Sequence, residues 1–122
     1  YAEAQSALGE CYHLGDGVEQ NYEEAVKWLR LAAKQGNMKA QLNLGVSYKN
    51  GFGVEQNYEE AVKWYRLAAE QGEFFAAHNL AICYRLGRGV EQNMEEAVKW
   101  WRLAAEKGNE DAKEALKRLQ NE

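Results

Sequence analysis

Three stretches of this chain are near-copies of one another: GDGVEQNYEEAVKWLRLAAKQG from Gly15, GFGVEQNYEEAVKWYRLAAEQG from Gly51, and GRGVEQNMEEAVKWWRLAAEKG from Gly87. Each begins 36 residues after the last, with no insertion or deletion. A fixed period of roughly 20–50 residues marks a stack of units, each burying its apolar face against the next. Three units are about the minimum for such a stack to support itself. Function in a stack lies on the face it presents, so positions that differ between copies carry more information than those that agree.

Within one unit there is no proline and no strand-like alternation. Ala4, Leu8, Cys11 and Tyr12 recur at helical spacing, as do Ala25, Val26, Leu29, Ala32 and Ala33, which predicts two amphipathic helices per unit. Asn21 followed by Glu24 reads as a capping box at the start of the second helix, with Asn57/Glu60 and Asn93/Glu96 repeating it. Gly36, Gly72 and Gly108 suit the left-handed position that ends a helix, and Gly15, Gly51 and Gly87 do the same for the first helix. Gly17, Gly53 and Gly89 shape the connecting loop, over Val18, Val54 and Val90. The Gly-x-Gly pattern has no strand before it and no Lys-Ser/Thr after it, so it is turn punctuation and not a phosphate cradle. Trp28, Trp64 and Trp100, flanked by alanines, are predicted to pack in the core. Glu23–Lys27, Glu59–Lys63 and Glu95–Lys99 are spaced for ion pairs on the solvated side.

Net charge is −4 and the pI is near 5.3, which gives no electrostatic case for nucleic acid or an anionic membrane. No apolar run approaches the roughly 18 residues needed to span a bilayer. Residues 1–10 lack the basic and apolar regions of a signal peptide, and the opening at Tyr1, inside what looks like the start of a repeat, reads as an excised fragment or a mature chain. Cys11 and Cys83 share a repeat position two units apart, with Ser47 between them. At roughly 10 Å per helix layer they lie beyond disulfide reach, so both are expected as buried free thiols compatible with a reducing compartment.

The pattern A-x-x-x-L-G-x-x-Y-x-x-G-x-G-V followed by A-x-x-W-x-x-x-A-A-x-x-G occurs at Ala4, Leu8, Gly9, Tyr12, Gly15, Gly17, Val18, Ala25, Trp28, Ala32, Ala33 and Gly36, and again 36 residues on. It resembles the Sel-1-like repeat family, relatives of the tetratricopeptide repeats. The third copy departs once, with Ala81 in place of Gly9 and Gly45. The resemblance implies an all-α fold, a right-handed superhelical solenoid of helix-turn-helix repeats, with units at about 4–39, 40–75 and 76–111 in a single domain of residues 1–122. Residues 112–122, opening AKEALKRL, keep Ala112 and Leu116 of a fourth first helix and then turn polar, as a C-terminal capping helix would. The resemblance also implies an adaptor for other proteins whose first helices line the concave face. A cysteine-rich bacterial branch of the family, with a disulfide in each unit, is associated with β-lactam or peptidoglycan-like ligands. This chain lacks that cysteine pair.

Helix two is almost uniform across the copies, whereas helix one is not. The variable columns are Glu3/Lys39/Phe75, Ser6/Leu42/His78, Glu10/Val46/Ile82, His13/Lys49/Arg85 and Leu14/Asn50/Leu86. Their spacing puts them on one side of the first helix, opposite the Leu8, Cys11 and Tyr12 stripe. Leu42, Val46, Phe75 and Ile82 supply apolar anchors. Lys39, Lys49, Arg85 and Arg88 ring them with positive charge, while Glu3, Glu10 and Asp16 make the first unit acidic. Asn43 and Asn79 match positions where related tetratricopeptide grooves bond a peptide backbone, and equally suit a bond to a neighbouring helix. The expected partner is therefore a protein or peptide with apolar anchors and some acidic character, met at Lys39, Leu42, Asn43, Val46, Lys49, Asn50, Phe75, His78, Asn79, Ile82 and Arg85, by a monomer. His13 and His78 have no acidic partner at fixed spacing, and Cys11 and His13 face different ways, so neither catalysis nor a metal or cofactor site is indicated. The uniform second helix also fits a consensus-designed scaffold with no natural ligand. A peptidoglycan- or β-lactam-related role is a third reading.

Overall fold

The computed structural model describes residues 1–121, so Glu122, the end of the expected 112–122 cap, lies outside the described residues. It contains seven helices and no strand among those residues: α1 (Ala2–Leu14), α2 (Tyr22–Lys34), α3 (Met38–Asn50), α4 (Tyr58–Glu70), α5 (Phe74–Leu86), α6 (Met94–Glu106) and α7 (Glu110–Gln120). Each helix packs on the next in sequence, and α1 also touches α3. The result is an α/α solenoid with α1, α3 and α5 in one layer and α2, α4 and α6 in the other.

The punctuation comes from backbone chemistry. The side chains of Asn21, Asn57 and Asn93 each accept a 3.1 Å hydrogen bond from the N–H three residues on, which caps α2, α4 and α6. The glutamates of the expected capping box make no return bond among the described residues. At the other end of α2, the Gly36 N–H bonds the Ala33 carbonyl and the Asn37 N–H bonds that of Ala32, with Gly36 at φ 93. This is the Schellman closure, and it leaves Asn37 placed to cap α3 in turn. Glu73 and Asn109 cap α5 and α7 in the same way.

The core forms two clusters along the stack, one with Leu29 and Leu44 and one with Tyr65, Leu80 and Trp101, both lined by buried alanines and both touched by Tyr48. Close approach of the layers depends on small residues. A Cβ added at Gly45 would lie 2.7 Å from the Tyr65 ring, and one at Gly9 would lie 2.8 Å from Leu29. Units are locked to one another at the loops. Gly53, at φ 74, lies against the carbonyl of Tyr22, and Gly89 repeats this against Tyr58. Trp64 and Trp100 are buried as expected, whereas Trp28 is half-buried. Lys27, Lys63 and Lys99 place their ammonium groups over these indoles at 5.2–5.7 Å. The expected Glu–Lys pairs are absent among the described residues, and the lysines instead lie over the neighbouring indoles. Val54 and Val90 tuck under their loops, while Val18 is exposed.

Candidate functional site

The variable columns of α1, α3 and α5 do share one face, but that face is a groove whose floor comes from the other layer. Leu29, Tyr65 and Trp101 occupy one repeat position in α2, α4 and α6, and they project up between the first helices. Helix two was read as uniform in sequence, and this changing column was missed. Its signal was available: it is an interior position of helix two that changes both size and polarity in every copy.

Seen against this floor, the Ser6/Leu42/His78 column is not an open rim. Ser6 is 4% exposed, and Leu42 and His78 are half-buried. Leu42, Val46 and Ile82 pack part of their surface on the core and leave the rest facing the groove. Phe75, at 51% exposure, sits at the mouth with its ring 4.5 Å from that of Phe74. Leu14 and Leu86 are exposed at the far ends of their helices.

Several candidates are already engaged within the chain. Lys39 lies 3.5 Å from one oxygen of Glu10, and the Asn43 amide donates to the same oxygen at 3.3 Å. Asn43 thus has a partner within the chain, and Lys39, whose side chain is 69% exposed, pairs with Glu10 across the α1–α3 seam. The Asn50 amide donates to the Val46 carbonyl in its own helix. Arg88 does not ring the groove, since its guanidinium lies over the Tyr58 ring at the loop edge, 5.4 Å from the centroid. In the preceding unit Phe52 stacks on Tyr22 in the same way, 4.9 Å away, with His13 against both rings. Asn79 and Lys49 differ from these: among the described residues, neither side-chain head has a partner. Asn79 faces the position where Val46 has replaced Glu10, so it meets no acceptor.

The groove holds a hollow at each end. One of about 170 Å³ is lined by Glu10, His13, Leu14, Leu29, Asn43 and Val46. The other, about 280 Å³, lies between α5 and α7, floored by Trp101 and Ile82 and bordered by His78, Arg85, Asp111 and Arg118. The Trp101 Nε1–H donates to His78 Nδ1 at 3.0 Å. Burial lowers the His78 pKa below its ordinary 6.5. Asp111 pulls it the other way and Lys49 adds to the lowering. Asp111 and Glu114 from α7 also temper the positive charge expected of this end.

Both cysteines are free, as expected, although only Cys83 is buried and Cys11 is half-buried. The Sel1 repeat profile matches residues 2–37, 39–73 and 75–109. The chain belongs to the Sel1 repeat family. Sel1 repeats are generally protein–protein interaction modules, and proteins built from them are typically non-enzymatic scaffolds. No curated protein matches the chain significantly. Among solved structures, a Sel1 repeat protein from Oxalobacter formigenes is 46% identical with a TM-score of 0.89, over 91% of this chain and 46% of its own. The protective antigen c5321 of uropathogenic Escherichia coli, which has the SLR fold, is 43% identical with a TM-score of 0.90, over 92% of this chain and 24% of its own. This Sel1 chain therefore spans half or less of those two proteins. Cysteine-rich protein B of Helicobacter pylori is 26% identical with a TM-score of 0.78, over 92% of this chain and 86% of its own. No helix among the described residues is long and apolar enough to cross a membrane.

Proposed function

We propose that this Sel1 chain is a binding module, not an enzyme, that holds an extended or helical segment of a partner protein along the α1–α3–α5 groove. The observation that carries this is the row Leu42, Val46 and Ile82, half-buried and open to the groove, beside two polar heads with no partner among the described residues, Lys49 and Asn79. Apolar anchors next to an uncommitted cation and amide suit a segment that brings hydrophobic side chains, backbone carbonyls and a carboxylate. The acidic element of the partner is set first against Lys49, with Lys39, which pairs with Glu10 at 3.5 Å, and Arg85 on the same face.

Peptide-library selection on the 122-residue chain tests the reading. Selected peptides should carry aliphatic or aromatic anchors near an acidic residue. Lys49→Glu and Leu42→Ala should each weaken them by about tenfold, close to 1.4 kcal/mol. Failure to select any peptide, or peptides indifferent to both substitutions, would refute it. The first result is also what a consensus-built scaffold without natural ligand would give, a reading favoured by the near-identity of α2, α4 and α6. Turnover of a β-lactam would move the chain to the third reading.

A further inference from the structure

The α7 end of the groove contains a polar contact that neither the other units nor the binding role requires. Trp101 is 1% exposed, and its indole N–H has His78 Nδ1 as its acceptor at 3.0 Å. An indole nitrogen only donates, so the bond requires His78 Nδ1 to be unprotonated. His78 is then the neutral tautomer with its proton on Nε2. A second proton can enter only at Nδ1, where it would oppose the indole N–H. The two states of His78 therefore cannot share one geometry.

The surroundings offer the charged state a different partner. The groups around His78 are Lys49 from α3, Arg85 from its own helix, Trp101 from α6, and Asp111, Glu114 and Arg118 from α7. Glu114 and Arg118 pair with each other at 3.6 Å. Asp111 stands in the first turn of α7, exposed, with no ion pair among the described residues and near enough to act on His78 through its charge. The hollow of about 280 Å³ between them gives the ring room to turn.

We propose that the Trp101–His78 bond is a proton-operated latch at the α7 end of the groove: neutral His78 is held on Trp101, and protonated His78 leaves it for the Asp111 carboxylate, adding one positive charge to the groove surface. The proton comes from solvent and returns to it. The consequence for a bound partner rests on the binding role proposed above: pairing with His78 would offset the Asp111 carboxylate, so an acidic segment would meet less repulsion at this end once the latch opens. The latch itself needs no ligand.

NMR on the ¹⁵N-labelled 122-residue chain tests it directly. At about pH 8 the His78 imidazole should show the Nε2–H tautomer. As pH falls, the Trp101 indole signal should move with the same midpoint as His78, below 6.5. That signal is the one missing in Trp101→Phe, or, if that variant fails to fold, the one showing a nuclear Overhauser contact to His78. Asp111→Asn should lower the midpoint and Lys49→Gln should raise it. His78→Leu should leave the indole signal flat. An Nδ1–H tautomer at neutral pH, an indole signal that ignores His78, or a midpoint indifferent to both charge variants would overturn the latch. So would loss of helical circular dichroism at that midpoint in both the native chain and His78→Leu, which would make the event global unfolding. A groove that binds no peptide would leave these signals intact, so the two proposals fail separately.

Discussion

Alanine at Gly53 and at Gly17 gives a matched pair that separates the cost of a strained backbone from the cost of parting two repeats. Both glycines lie in the left-handed region, at φ 74 and φ 77, and hold equivalent places in successive loops. An alanine in that conformation costs about 1–2 kcal/mol for the crowding of its Cβ against the following carbonyl. At Gly17 nothing else is added, because a Cβ there meets no atom within 4 Å. At Gly53 the same Cβ overlaps the carbonyl of Tyr22 and lies 2.9 Å from the Glu23 nitrogen. Those are backbone atoms at the start of α2, and no rotamer change can move them aside. Relief requires the loop of the second unit to lift from the first, an overpacking cost of about 1–3 kcal/mol. Gly53→Ala should therefore lose about 2–5 kcal/mol where Gly17→Ala loses about 1–2. Against a total near 0.05–0.15 kcal/mol per residue, that difference is large. Guanidinium unfolding followed by circular dichroism reads it, and Gly53→Ala should also broaden the transition as coupling between units weakens. Gly89→Ala, set against Tyr58, should match Gly53→Ala. If Gly53→Ala and Gly17→Ala agreed within about 0.5 kcal/mol, the units would not be locked at this contact.

Tyr65→Phe should stabilise the chain by about 1 kcal/mol or more, because the Tyr65 hydroxyl is buried without a partner. A lower melting temperature in that variant would mean the hydroxyl is satisfied. The two thiols should react in sequence with a disulfide reagent, since burial pushes the Cys83 thiol up and covers it, whereas Cys11 is only half-buried. Cys11→Ser should remove the fast phase, and a fast phase that survives would contradict this burial. His78 should make stability pH-dependent on the acid side. Its pKa is lowered by folding, so below the unfolded value of 6.5 the unfolded chain binds more protons, and stability is lost until the folded value is passed. Melting temperatures at about pH 7.5 and about pH 5.5 should differ more for the native chain than for His78→Leu; equal differences would assign the acid sensitivity elsewhere.

The parts of this fold that were legible in the sequence are those in which one residue answers to its own backbone. Asn21, Asn57 and Asn93 cap because an amide oxygen reaches an N–H three residues on, and Gly36 closes α2 because only glycine enters that φ without strain. Such rules act within a few residues and repeat every 36. The groove was legible as a face but not as a set of free groups. Lys39 and Asn43 carry no sign in the sequence of Glu10, which α1 brings to both beside α3. Arg88 suited the groove until stacking of the units set it over Tyr58. The lysines at 27, 63 and 99 had two suitors on their own helix, a glutamate and an indole, and spacing alone does not rank them. For Lys39, Asn43 and Arg88 the deciding neighbour lies in another unit, where periodicity carries no information about contact.

The polar atoms of the floor column follow from this as well. In the third unit the paired positions hold Trp101 and His78, a donor and an acceptor that meet. The corresponding pair in the second unit is Tyr65 with Leu42, and in the first it is Leu29 with Ser6. In both of those one partner is leucine, and the lone polar atom, the Tyr65 hydroxyl or the Ser6 Oγ, is buried with no bonding partner among the described residues. Only a pair changed at both positions satisfies its polar atoms, since a buried donor left alone costs about 1–3 kcal/mol while a matched pair recovers it. The three floors are thus chemically unequal, although the helices that carry them are almost the same. Leu29, Tyr65 and Trp101 are themselves closed to solvent, so this inequality reaches the surface only through the half-buried side chains beside them, Leu42 and His78.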